Sequence, residues 1–158
     1  MSPKLTKKGY NRLRLEFEEL SQKERPKVVQ GVATAAAEGD RSENAEYIYG
    51  KKRLREIDKR LQYLARFLKD PEVVDGGMVP VHEVGFGSKV TICDENNQTK
   101  VWTIVGEGEA DFKEKTISVL APVAKALLGK KQGDVVEVEL VRGISYLTIM
   151  SISIGDID

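Results

Sequence analysis

The feature that most constrains this chain is a heptad seam between residues 47 and 68. Leu54, Ile57, Leu61, Leu64 and Leu68 follow one another at steps of three, four, three and four. Tyr47 and Gly50 extend the same register backwards. That spacing puts Leu54, Leu61 and Leu68 at one core position of a coiled coil and Ile57 and Leu64 at the other. A second stripe precedes it. Thr6 is a good N-cap for a helix starting at Lys7. Tyr10, Leu13, Phe17 and Leu20 then line one face, and Val28, Val32 and Ala35 continue it. Pro26 interrupts this stripe and predicts a kink in a helix that resumes beyond it. Only about five residues, Glu38 to Ser42, separate the two patterns, and so short a connection makes neighbouring helices antiparallel. The prediction is a helical hairpin with arms of about 45 Å, at 1.5 Å per residue.

Near residue 75 the pattern changes. Asp70-Pro71-Glu72 and Asp75-Gly76-Gly77 form a breaker-rich linker. Beyond it the β-rich runs are Lys89–Cys93, Lys100–Val105, Thr116–Val119, Val135–Val141 and Ser145–Ile152, with one short helix at Pro122–Leu128 ended by Gly129. The expected fold class is therefore α+β with two domains: a coiled-coil hairpin over residues 1–75 and a small sheet-plus-helix domain over 76–158. Charge divides at the same place. The formal net charge is zero, but residues 1–75 hold 17 Lys+Arg against 13 Asp+Glu, and residues 76–158 hold 8 against 12. A single cysteine, Cys93, excludes an internal disulfide and fits a reducing cytoplasm. The only histidine, His82, reads as a surface loop residue, so neither a zinc site nor a Cys/His nucleophile pair is expected. No apolar run is long enough to span a bilayer.

The turn of the hairpin reads Glu38-Gly39-Asp40-Arg41-Ser42-Glu43-Asn44-Ala45-Glu46-Tyr47. Asp40 and Glu43, three apart, resemble a capping box at the start of the second helix, where the helix dipole also favours acids. On spacing alone, capping is the commoner reading. Two carboxylates are too few to hold magnesium, which wants six oxygens. Any chemical role for them needs a partner that completes the site.

Behind the turn runs a basic face. Lys52, Lys59 and Arg66 share the outermost heptad position, Arg53 and Arg60 a flanking one, and Arg55 lies nearby. A solvated helix face is the ordinary explanation. Charges of one sign along the whole length, beginning at the tip, favour attraction of phosphates. Tyr47, Tyr49 and Tyr63 form no base-stacking platform, because Tyr47 is in seam register. Tyr49 is the freer of the three.

These motifs resemble the Gre transcript-cleavage factors, in particular the GreB-type branch. The resemblance is carried by the turn sequence, by Lys51-Lys52-Arg53-Leu54-Arg55-Glu56-Ile57-Asp58, by Leu5-Thr6-Lys7-Lys8-Gly9-Tyr10, by Glu24-Arg25-Pro26, and by Ser118 with Ala121-Pro122-Val123-Ala124-Lys125. It implies an FK506-binding-protein-like second domain that docks on bacterial RNA polymerase through Leu120, Ala121, Pro122 and Lys125. It implies that the hairpin enters the polymerase's secondary channel. There Asp40 and Glu43 would be the catalytic carboxylates, helping to position Mg2+ shared with the polymerase, supported by Gly39, Arg41, Ser42 and Asn44. Lys52, Arg53, Arg55, Lys59 and Arg60 would guide the nascent RNA 3′ end. The expected protein is a monomer that stimulates RNA cleavage by the polymerase and is not itself an enzyme. One departure stands out. The family's Asp-Ser pair before the proline is replaced by Leu120 and Ala121, and its arginine by Lys125, which cannot make a bidentate guanidinium contact. The competing readings are a channel-binding regulator that does not stimulate cleavage, a prolyl isomerase with a coiled-coil adaptor, and a generic hairpin interaction protein.

Overall fold

The computed structural model describes residues 2–39 and 43–158. In chain order the elements are β1 (Lys4–Thr6), α1 (Lys7–Glu19), a π-helical turn (Leu20–Glu24), α2 (Arg25–Ala36), α3 (Ala45–Leu68) and β2 (Glu72–Val74). There follow β3 (Ser88–Cys93), β4 (Thr99–Val105), β5 (Thr116–Ser118), α4 (Pro122–Leu127), β6 (Val135–Leu140) and β7 (Gly143–Ile154), with short 3-10 turns at Gly76–Met78 and Phe112–Glu114. The chain divides into two compact units, residues 11–69 and residues 1–10 with 70–158. This division differs from a single boundary at 75: the first ten residues and the linker stretch group with the sheet.

The reason is a pair of strands. β1 and β2 lie parallel, matching Lys4 with Glu72, Leu5 with Val73 and Thr6 with Val74. Leu5, Thr6 and Val74 are buried. Thr6 also caps α1 as its sequence suggests, its hydroxyl accepting the Gly9 N–H at 3.0 Å. Its own N–H donates to Glu109 Oε2 at 2.7 Å, and its hydroxyl donates to the same carboxylate. Glu109 is buried at 5% exposure. A side chain at Gly9 would stand 2.3 Å from that carboxylate, so glycine is what lets the first turn of α1 sit against it.

The five-stranded sheet has the order β5-β4-β3-β7-β6. Its four central and distal strands are antiparallel, and β5 joins β4 in parallel. Val90, Ile92, Ile104, Val136, Val138, Leu147 and Ile149 face one side and bury Ala124 and Leu127 of α4. In β7 the apolar positions Leu147 and Ile149 are followed by Ile152, which breaks strict alternation. A register shift opposite Thr91 and Ile92 leaves Met150 without a partner and turns Ile152 back to the core. Pro122 opens α4, where its missing N–H costs nothing, and Gly129 follows the helix in a left-handed conformation (φ 79°).

In the other unit, the first arm, from α1 through α2, runs against the second, and the contacts are antiparallel: Glu16 meets Arg60, Glu24 meets Arg53, Val32 meets Gly50, and Ala35 meets Asn44. Gly50, Ile57, Leu64 and Phe67 are buried, whereas Leu54 and Leu61 are half-buried. The seam therefore leans toward the Gly50–Ile57–Leu64 line, with Phe67 added. Helicity continues through Pro26 by way of the π turn, in which the Arg25 N–H donates to Leu20 O five residues back. The wider turn opens space where the proline ring would otherwise meet a carbonyl of the preceding turn.

Candidate functional site

The turn is longer than the sequence suggests. α2 ends at Ala36 and α3 begins at Ala45, so residues 37–44 connect them. Gly39 is exposed with φ 133°, a conformation that L side chains rarely adopt. Asp40, Arg41 and Ser42 lie outside the described residues. Glu43 lies in a turn before the helix, exposed, with no hydrogen bond or ion pair among the described residues.

The expected capping box of Asp40 with Glu43 is corrected here, because Glu43 is not in the helix and the N-cap is Asn44. Its Oδ1 accepts the Tyr47 N–H at 3.2 Å. The same side chain donates through Nδ2 to Ala35 O at 3.0 Å, across the hairpin. Ala35 is buried and the bond falls at the end of α2. Asn44 thus satisfies an orphan donor at the start of one helix and fastens it to the end of the other. Nothing about this geometry requires Glu43, whose carboxylate is left to solvent.

The basic face divides into two sets. Arg53 donates to Glu24, through Nε at 2.8 Å, and lies 3.3 Å from Glu56. Arg60 donates twice to Glu16, at 2.6 and 2.9 Å, and its guanidinium lies 5.2 Å from the Tyr63 ring centre. Arg25 and Asp58 add a third pair between the arms, at 2.7 Å. The hydrogen bond from Arg60 holds the Glu16 carboxyl below its ordinary range, and Arg25 does the same for Asp58. These arginines brace the hairpin. Lys52, Arg55 and Lys59 are exposed and form no ion pair among the described residues. Tyr49 is 70% exposed, while Tyr47 is half-buried.

In the other unit, Leu120 is 53% exposed and its N–H donates to Ser118 Oγ at 3.1 Å. The Ala121 N–H donates to Ser118 O at 2.9 Å, and Pro122 and Lys125 are exposed on the first turn and the body of α4. Ser118 therefore shapes the segment that presents these four residues. His82 is exposed and Cys93 half-buried. Among the described residues no helix is long and apolar enough to cross a membrane, and no three His, Cys, Asp or Glu side chains cluster as a metal site.

Sequence reasoning missed the Asn44 clasp and the acidic partners of Arg53 and Arg60. For the arginines a signal existed: Glu24 and Glu16 fall on the first arm at positions that antiparallel pairing brings opposite Arg53 and Arg60.

Comparison with known proteins adds to this geometry. Residues 3–73 match the family described as transcription elongation factor, N-terminal, and residues 79–154 the one described as transcription elongation factor, GreA/GreB, C-terminal. The transcription elongation factor GreB of Yersinia pestis is 44% identical over 148 residues, covering 94% of this chain and 86% of that protein. GreB of Pasteurella multocida is 45% identical, covering 94% of each. GreA of Beijerinckia indica is 38% identical over 150 residues, covering 94% of this chain and 96% of its own.

Proposed function

Because the chain belongs to the GreA/GreB family of transcription elongation factors, on its GreB branch, we propose that it binds RNA polymerase and stimulates cleavage of the nascent RNA 3′ end in backtracked complexes. The observation that supports this most is the state of Glu43. Among the described residues Glu43 caps no helix and pairs with no cation. It is exposed at the turn of the two-helix hairpin, where it can be presented to a partner.

Asp40 and Glu43 are the carboxylates assigned to the reaction. Both are hard oxygen donors of the kind Mg2+ prefers, and they fit as a partial ligand set that the polymerase completes. The ion, when bound there, would supply activation of water and stabilisation of the leaving oxygen. This chain's own residues do the positioning. Asn44 fixes where α3 begins and therefore where Glu43 points. Gly39 permits the reversal after α2. Lys52, Arg55 and Lys59, which form no ion pair among the described residues, attract the phosphates of the displaced RNA. Leu120, Ala121, Pro122 and Lys125 form a docking segment whose character is more apolar than the family pattern. The protein itself cuts nothing; the polymerase is the enzyme.

The test adds purified protein and Mg2+ to stalled, backtracked elongation complexes. Short RNA 3′ fragments are the expected product, and Asp40→Ala and Glu43→Ala are expected to abolish their release while still binding. Polymerase binding without fragment release by the unaltered protein would make it a non-cleaving occupant of the same site.

A further inference from the structure

The chain's only tryptophan, Trp102, lies on β4, and its ring meets that of Phe112 at 5.6 Å between centres and 55° between planes. The two differ in what holds them. Trp102 backs onto the hydrophobic core. Phe112 stands in the 3-10 turn before β5 and is 81% exposed. An open cleft beside them is also lined by Val101, Lys100, Lys113 and Lys115. All three lysines are exposed, and none forms an ion pair among the described residues. Asp111 caps the turn by accepting the Lys113 N–H at 2.9 Å and is not part of the lining. Glu114 is the one other acid of the turn and is not part of the lining.

Two features say that the cleft takes a ligand. An almost fully exposed phenylalanine leaves a large apolar face in water, and a tryptophan beside it makes the patch contiguous. Lys115 has φ 57°, a left-handed conformation that costs a lysine energy and a glycine none. It keeps a cation at the mouth of the cleft in spite of that cost. The charge of the rim then specifies the ligand. Three ammonium groups around an apolar floor complement a large apolar side chain flanked by carboxylates. A nucleic-acid base fits less well, because the two rings touch each other at an angle and leave no slot between them for a third plane. Position points the same way. Phe112 precedes β5, an edge strand, and Leu120 follows it. The cleft and the docking segment therefore occupy the two ends of one strand.

We propose that the Trp102–Phe112 cleft is a second docking point for RNA polymerase, receiving an acidic segment of the polymerase through one large apolar side chain. This rests on the polymerase-binding reading above. The experiment measures equilibrium binding of the full chain to core RNA polymerase, together with the factor concentration giving half-maximal transcript cleavage. Phe112→Ala and the double variant Lys113→Glu/Lys115→Glu are each expected to weaken binding at least tenfold and to raise the half-maximal concentration equally, with the saturated cleavage rate unchanged. Phe112→Tyr is expected to retain binding, and melting temperatures identify any variant weakened through its fold. The double variant, lying wholly on the surface, tests the cleft independently of Phe112. If the unaltered protein binds and both the Phe112→Ala and lysine variants bind within twofold of it, the second docking point is wrong and the functional reading stands. If the unaltered protein does not bind, both fall. A ten-nucleotide uridine RNA is titrated in parallel against the free protein, with Trp102 fluorescence as readout. No change is expected, and a saturable quench lost in Phe112→Ala would reassign the cleft to nucleic acid and overturn the proposal.

Discussion

Asn44 makes two bonds with different consequences, and they can be separated. The Oδ1 bond caps α3; the Nδ2 bond holds the arms together at the turn. Asn44→Asp keeps an oxygen acceptor for the Tyr47 N–H but loses the donor, so the cap survives and the clasp does not. Asn44→Ala loses both and should cost about 1 kcal/mol or somewhat more in thermal or urea unfolding. If position at the turn governs cleavage, Asn44→Asp will lower the cleavage rate, with a stability loss of about 0.5–1.5 kcal/mol for the one bond removed. Equal activity of Asn44→Asp and the unaltered protein would show that the clasp is dispensable. Glu43→Ala, by contrast, removes no cap and should leave the melting temperature where it was. The turn motif itself was legible as residues, and the cap within it was not. Asp40, Ser42 and Asn44 are all good capping types at alternate positions. Which one caps depends on where α2 ends and how Gly39 turns the chain, and both are set by the packing of the arms.

At the scale of the elements, the approach of α2 to α3 depends on Gly50. A methyl group there would lie 2.5 Å from Val32 Cγ2. Gly50→Ala gains about 1 kcal/mol of helix propensity, but the overlap with a stiff β-branched side chain costs more, about 1–3 kcal/mol. The single variant should be net destabilising, and adding Val32→Ala should recover part of the loss, a coupling that a double-mutant cycle in urea would measure. The basic face yields a second contrast. Lys52→Gln, Arg55→Gln and Lys59→Gln together should reduce crosslinking to RNA in the elongation complex with little change in melting temperature. Arg60→Gln should do the reverse, because its side chain is engaged with Glu16; exposed pairs of this kind are worth at most about 1 kcal/mol. Periodicity made the hairpin and five strands of the sheet readable within a residue or two. The π turn and the residue left over at Met150 were not readable, since each accommodates one misplaced residue after packing has decided which face is inside.

For the molecule as a whole, the pair β1–β2 was the least visible feature. Three-residue strands carry almost no periodicity, and these two are separated by the whole hairpin. Val73-Val74, a β-branched pair between breakers, is the only local trace. What anchors β1 is Glu109, far along the chain. Glu109→Ala leaves the Thr6 N–H and hydroxyl without their acceptor in a buried place, which should cost about 1–3 kcal/mol for each. Thermal unfolding should show the loss in the sheet-containing unit, and Thr6→Val combined with Glu109→Ala should cost less than the two separately. A fully additive result would mean that the two side chains do not act as a pair.

The pairing of β1 with β2 also makes the hairpin an insertion in the chain order of the other unit, and this has a consequence for synthesis. Residues 11–69 are complete, and can pair their arms, once they clear the ribosome. The strand that precedes them waits: its parallel partner arrives with Val74, its buried carboxylate with Glu109, and the Ile157 carbonyl that accepts the Lys8 N–H comes almost last. Residues 4–8 are thus made before the hairpin and reach their final partners after it. A pulse-labelled chain should acquire protease resistance in residues 11–69 before β1.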